Sequence, residues 1–198
     1  MSQRDAILEG TKHATRLHEI LNTKRHIDRL GGRVDVFDAI IQQGSTLLFG
    51  DLKGIIGAYL KENDSPGIMV TTQRGLAVQR FTAAHELGHF YMDHEPSVDG
   101  DEIIAGDGLA GVETEANAFA AEFLAPQWLL FHHGRQQGWN AESLTDPIMV
   151  YQLALRLGLS YEAIGVTLKK QNLISAAGLQ SLRAVTPKKI KRQLLPDS

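Results

Sequence analysis

Inside the stretch "FTAAHELGHFYMDHE" two histidines, His85 and His89, stand four residues apart, with a glutamate, Glu86, directly after the first. On a helix, residues four apart project from one face about one turn apart, so both imidazoles can reach a single ion. Glu86 points elsewhere, close to such an ion without having to ligate it, which suits a general base acting on water. Zinc is the expected metal, because it lowers the pKa of a water it holds to about 7, from roughly 16 in bulk. The bland alternative is a pair of core histidines bonded to backbone. It would bury two imidazoles on a stripe shared with Ala77, Phe81, Gly88 and Met92, which is costly unless both find partners. Gly88 in mid-helix costs about 1 kcal/mol relative to alanine, which points to something approaching closely there.

A catalytic zinc takes three protein ligands and leaves a fourth position for water. The H-E-x-x-H-x-x-G-x-x-H pattern does not supply the third, since Met92 and Glu95 occupy its last two marked places. His94, also near, suits a surface or hydrogen-bonding role better than ligation. A better source is the second helical stretch, "VETEANAFAAEFLAP". There Glu113 shares a face with Ala116, Asn117, Ala120, Ala121 and Leu124, a mostly small surface that lets one helix approach another. Glu115 points towards Phe119 and Glu122 and is the alternative, because periodicity alone does not separate the two. Asn117, one turn after Glu113, is placed to bond a ligating group from behind. Manganese could replace zinc at a His-His-carboxylate site. Arg80, Tyr91, His94, His132 and His133 are candidates for stabilising an oxyanion, none preferred.

The elements that must position these groups are legible in outline. Residues 4–30 read as a helix broken at Gly31-Gly32, and 35–43 as a second helix ending at Gly44. The runs "STLLFG", "IIGAYLKE" and "GIMVTTQ" read as three short strands of a meander, separated by turn formers such as "NDSPG". An extended substrate could pair with an exposed edge of the second or third. Residues 94–111, rich in glycine and aspartate, read as an irregular loop. The stretch from Val112 to His133 reads as helix, the remainder as two or three more helices, and "TPKKIKRQLLPDS" as a solvated basic tail. The expected divisions are an N-terminal helix (1–32), a domain that carries the metal-site residues (33–135), a helical subdomain (136–185) and the tail (186–198).

A chain of 198 residues can bury a core without staples. A net charge of −3 supplies no overall basic field for nucleic acid. The segment "LALRLGLSYEAIGVTL" has the outline of a helix-turn-helix, with Ser160 as an N-cap. Its second helix offers only Lys169 and Lys170 to phosphates, so a helical hairpin is expected there and direct DNA binding is not. Cysteine is absent, which excludes thiolate sites and leaves histidine and carboxylate as metal donors. No apolar run suggests a membrane helix and the first residues do not resemble a signal peptide, so a cytoplasmic protein is expected.

"QRFTAAHELGHF", "ETEANAFAAEFLAP", "VDVFDAI" and "GAYL…GIMV" together resemble the ImmA/IrrE family of zinc metallopeptidases, over about residues 33–130. A weaker echo lies in "LALRLGLSYEAIGVTLKKQNLI". The resemblance implies an α+β, zincin-like domain of the gluzincin kind, with a small sheet packed on helices and a helical region after it. It implies ligands at His85, His89 and Glu113, and Glu86 as general acid and base. It also implies a protein substrate, a helix-turn-helix repressor encoded nearby in a mobile element or stress response. A metal-stabilised regulator or antitoxin-like binding module that does not cut is the alternative. Two departures from the family pattern are Phe123 and Ala125 flanking Leu124, and the long acidic loop from Glu95 to Gly111.

Overall fold

The structure is a computed structural model describing residues 1–62, 65–105 and 111–194. Two compact units make up the chain, Met1–Pro126 and Gln127–Ser198.

In the first unit, α1 (Gln3–Ile20) starts at Ser2, whose hydroxyl accepts from the Asp5 amide while Asp5 accepts from the Ser2 amide. This reciprocal cap satisfies two otherwise orphaned donors. The helix read over 4–30 is interrupted, because Asn22 takes the left-handed conformation (φ 50°) and only the short α2 (Thr23–His26) follows. Asp35 caps α3 (Val36–Gln42) through the Asp38 amide, and Gly44 follows with φ 84°. Then come β1 (Thr46–Gly50), β2 (Gly57–Glu62), β3 (Ser65–Thr71), α4 (Leu76–Tyr91), β4 (Ser97–Asp99), α5 (Glu102–Ala105) and α6 (Val112–Leu124).

The sheet is mixed and four-stranded, in the order β1-β3-β2-β4. This corrects the expected three-stranded meander in two respects. β1 pairs with β3 in parallel and not with its neighbour in sequence, and the stretch read as irregular loop contributes β4, antiparallel to β2. Three residues are too short a run for alternation to announce a strand. Residues 106–110 of that loop, and Asn63 and Asp64 of the turn before β3, lie outside the described residues.

Helix α4 packs on β2 and β3, α6 packs on α4, and α1 runs along α6. Two glycines set these distances. A β-carbon on Gly88 would come within 3.1 Å of the Phe119 ring and 3.3 Å of the Ala116 backbone. One on Gly10 of α1 would collide with the Glu115 carbonyl on the other side of α6. The close approach that Gly88 suggests is therefore α6 itself, held between two helices at the level of its site-bearing turns.

The α1–α6 contact also carries a buried histidine and a half-buried glutamate with opposite pH dependence. His18 stacks on Phe123 with centroids 4.7 Å apart, and burial lowers its pKa to about 4 although backbone hydrogen bonding to Glu122 and Phe123 resists this. Burial raises Glu122 to about 7. Between pH 6.5 and 4 the unfolded chain protonates His18 where the fold does not, so this group costs stability as pH falls, up to about 3 kcal/mol. Between pH 4.5 and 7 the fold keeps a proton on Glu122 that the unfolded chain has released, so this group costs stability as pH rises. Glu122→Gln should remove the second trend alone. The difference in melting temperature between variant and parent should then grow in the variant's favour from pH 4.5 to 7. Parallel curves over that range would refute the assignment.

The second unit is helical: α7 (Gln127–Gln137), a 3-10 turn (Glu142–Thr145), α8 (Pro147–Leu157), α9 (Tyr161–Lys170), α10 (Ala176–Arg183) and α11 (Pro187–Leu194). The helix read from Val112 through His133 is two helices, parted at Ala125-Pro126, where proline removes a backbone donor. Gly158 (φ 66°) ends α8 and the Ser160 hydroxyl caps α9. Tyr161 donates its hydroxyl to the Leu182 carbonyl at 3.0 Å, tying α9 to α10. The basic tail is largely helical, because Ile190 is fully buried and anchors α11. No helix among the described residues is long and apolar enough to cross a membrane.

Candidate metal centre

Helix α4 is buried over most of its circumference, and His85, Glu86 and His89 are at most 1% exposed. The two imidazoles turn their Nε2 atoms towards each other, 2.9 Å apart. Glu113, in the first turn of α6, brings Oε2 to 3.2 Å from His85 Nε2 and 3.6 Å from His89 Nε2. From the end of β4, Asp99 Oδ2 comes to 3.8 Å from His85 Nε2. One donor atom from each of these four residues lies within 4.8 Å of all the others.

Hydrogen bonds behind the imidazoles fix which ring nitrogens carry protons. Asn117 donates its amide to the Ile103 carbonyl at 3.0 Å, so its Oδ1, 3.0 Å from His85 Nδ1, faces that ring as an acceptor. His85 must then carry its proton on Nδ1. On the other side, Glu115 Oε2 lies 3.0 Å from His94 Nε2, and His94 Nδ1 lies 3.0 Å from His89 Nδ1. Burial and the neighbouring His89 lower the pKa of His94, so it has one proton to donate. Given to Glu115, that proton leaves His94 Nδ1 as an acceptor for the Nδ1 proton of His89. Both Nε2 atoms are thereby left as bare lone pairs pointing inward.

Two imidazole Nε2 atoms and two carboxylate oxygens converge in one small space. Asp99 Oδ2 and Glu113 Oε2 are buried without a hydrogen-bond donor. Such a cluster is strongly unfavourable by itself and favourable around a cation, whose charge replaces the missing donors. The separations also suit a small divalent ion. Tetrahedral ligands about 2.1 Å from a metal sit roughly 3.4 Å apart; the three among His85, His89 and Glu113 are 2.9, 3.2 and 3.6 Å, while Asp99 stands further off, 3.8 Å from His85 and within 4.8 Å of the rest. The residues present therefore fit a metal ion.

Glu86 lies next to this cluster. Its Oε2 accepts from the Ser97 hydroxyl at 3.3 Å, and its Oε1 is buried without a donor. Burial first, and then the Asp99 carboxylate alongside, push its pKa well above the usual carboxylate range. Space for it exists because β2 places Gly57 against it, where a β-carbon would collide with Glu86 Oε1 and Thr82 Cγ2.

The structure thus brings His85, His89 and Glu113 together, with Glu86 beside them and Asn117 behind His85. Glu115, the alternative to Glu113, reaches His94 instead. Glu95 is exposed and outside the cluster. Among the oxyanion candidates, Arg80 is buried and donates to the Val34 carbonyl at 2.7 Å, and Tyr91 packs against His13 and Phe119. His132 and His133 belong to the second unit. Sequence reasoning missed Asp99 and Ser97, whose one available signal is the polar-apolar-polar triplet Ser97-Val98-Asp99. Asn117→Ala should weaken divalent-metal affinity about 10- to 100-fold by freeing the His85 ring and its tautomer. Competition with a chromogenic chelator measures this, and an affinity within twofold of the parent would refute the orienting role.

Residues 42–169, well over half of the chain, match the peptidase family M78, the IrrE N-terminal-like domain. The chain belongs to this family. None of the curated proteins matches it. M78 membership supports a metallopeptidase, agrees with an α+β zincin-like domain, and accords with a His-His-carboxylate cluster able to hold a metal ion.

Proposed function

We propose that this M78 protein is a zinc-dependent endopeptidase that cuts a helix-turn-helix repressor encoded near it, with His85, His89 and Glu113 as metal ligands and Glu86 as general base. The observation that carries the reading is the convergence of four metal-ligating side chains directly beside the buried carboxylate of Glu86. When bound, zinc polarises the scissile carbonyl and acidifies water. Glu86 takes the proton from the attacking water and returns it to the departing amine, so that one water is consumed and two chain ends are formed. Asn117 and the His94–Glu115 pair keep the imidazoles aimed while this happens. The test is to incubate zinc-loaded protein with the neighbouring repressor and look for two fragments by mass spectrometry. Fragments should appear with zinc and vanish with chelator. A repressor left intact with zinc both by the parent and by Asp99→Ala, which lacks one of the two carboxylates of the cluster, would refute the substrate assignment.

A second reading, a metal-stabilised regulator that does not cut, has one observation in its favour. Asp99 offers a fourth protein donor, and structural zinc sites are closed by four.

A further inference from the structure

Strand β4 makes three separate contacts with the machinery. Its backbone pairs antiparallel with β2 in the register Gly57↔Asp99, Ala58↔Val98 and Tyr59↔Ser97, and the Asp99 carbonyl accepts from the Ile56 amide at 2.8 Å. Its two inward side chains, two residues apart and so on one face, are Ser97, which holds Glu86, and Asp99. The latter is 6% exposed, its carboxylate lies against that of Glu86, and its Oδ2 is among the metal donors. Val98 between them is 59% exposed. An extended segment lying on the edge of β2, with one side chain on the general base and the next inward one at the metal, has the placement expected of a bound peptide. The edges on which an extended substrate was expected to pair are taken next to the site, since β3 lies between β1 and β2, and β4 covers Gly57–Tyr59 on the outer side of β2.

We propose that β4 is a resident latch: Asp99 supplies a fourth donor to the metal held by His85, His89 and Glu113, and the strand occupies the β2 edge at Gly57–Tyr59 beside the site, so the site is closed until β4 leaves β2. This rests on the metallopeptidase reading and gives it a regulation. Three paired residues are a short hold, and a partner strand offering longer pairing to β2 could displace them. Removal of β4 would vacate the fourth coordination position, release Ser97 from Glu86 and expose the edge in a single movement.

The test uses the full chain loaded with cobalt, whose visible spectrum reports its ligands, and compares the parent with Asp99→Ala and the near-isosteric Asp99→Asn. Acetohydroxamate, which needs an open position on the metal, is the probe. In the parent it should leave the spectrum unchanged at concentrations at least about tenfold above those that shift the Asp99→Ala spectrum. Cobalt affinity should fall at least about tenfold in Asp99→Ala, since losing an outer partner alone typically costs that much. Cobalt should also slow amide exchange at residues 97–99 in the parent and not in Asp99→Asn, a reading that does not require the alanine variant to be well packed. Any slow cutting of the repressor by the parent should be faster with Asp99→Ala. Identical spectra and probe responses in parent and variants would overturn the proposal, as would an affinity within twofold or cutting unaffected by the substitution. Asp99-dependent spectra with no cutting by any variant would support the fourth donor and refute the peptidase reading instead.

Discussion

Glu86→Gln should lower the rate of peptide hydrolysis by at least about 10² to 10⁴, the usual contribution of a positioned acid or base, while metal binding persists. Glutamine keeps the shape of the side chain and its place against Gly57, so the packing of α4 on β2 should survive. What disappears is a group able to take a proton and give it back. The metal donors are on other residues, and an uncharged amide beside Asp99 should not weaken the fold. Metal affinity of the variant, measured by chelator competition, should therefore remain close to that of the parent while repressor fragments are lost. Cleavage persisting at the parental rate would remove Glu86 from the mechanism, and simultaneous loss of metal would show it to be a ligand.

How much of this was open to a reader of the sequence depended on the range of the signal. His85, Glu86 and His89 announce themselves because four-residue spacing on one helix is local information, and so is the Ser160 cap of α9. Pairing of β1 with β3 was hidden, because which strands neighbour one another is decided by crossover connections that leave no periodic mark. Glu113 and Glu115 could not be separated by pattern. Both lie in the first turn of α6, and the choice between them is made by the rotation of α6 against α4, which Gly10 and Gly88 set through contacts with Glu115, Ala116 and Phe119. Asp99 was invisible for a different reason. Its strand is three residues long and exists by pairing with β2, so nothing within the segment itself distinguishes it from loop. The break at Asn22 is a backbone event that a sparse apolar pattern cannot show. Ile190 was legible only as one apolar residue among lysines until the fold buried it.

The stability gained from metal should distinguish the two glutamates more sharply than any activity assay. A ligand that binds only the folded form stabilises it by about 4 kcal/mol at a thousandfold excess over its dissociation constant, a melting shift on the order of 10 °C for a chain of this size. Zinc added to chelator-treated parent should produce such a shift. In Glu113→Ala it should collapse, since the oxygen lost is the one 3.2 and 3.6 Å from the two imidazole Nε2 atoms, and direct donors matter more than the outer partners whose loss costs about 10- to 100-fold. Glu115→Ala should be milder. It leaves all four donors in place but deprives His94 of its acceptor, so the proton can move within the His94–His89 pair and settle on the nitrogen that the metal needs. The melting shift should accordingly rank parent, then Glu115→Ala, then Glu113→Ala. Reversal of the last two would move the third ligand to Glu115, and with it the rotation of α6 from which the whole centre is built.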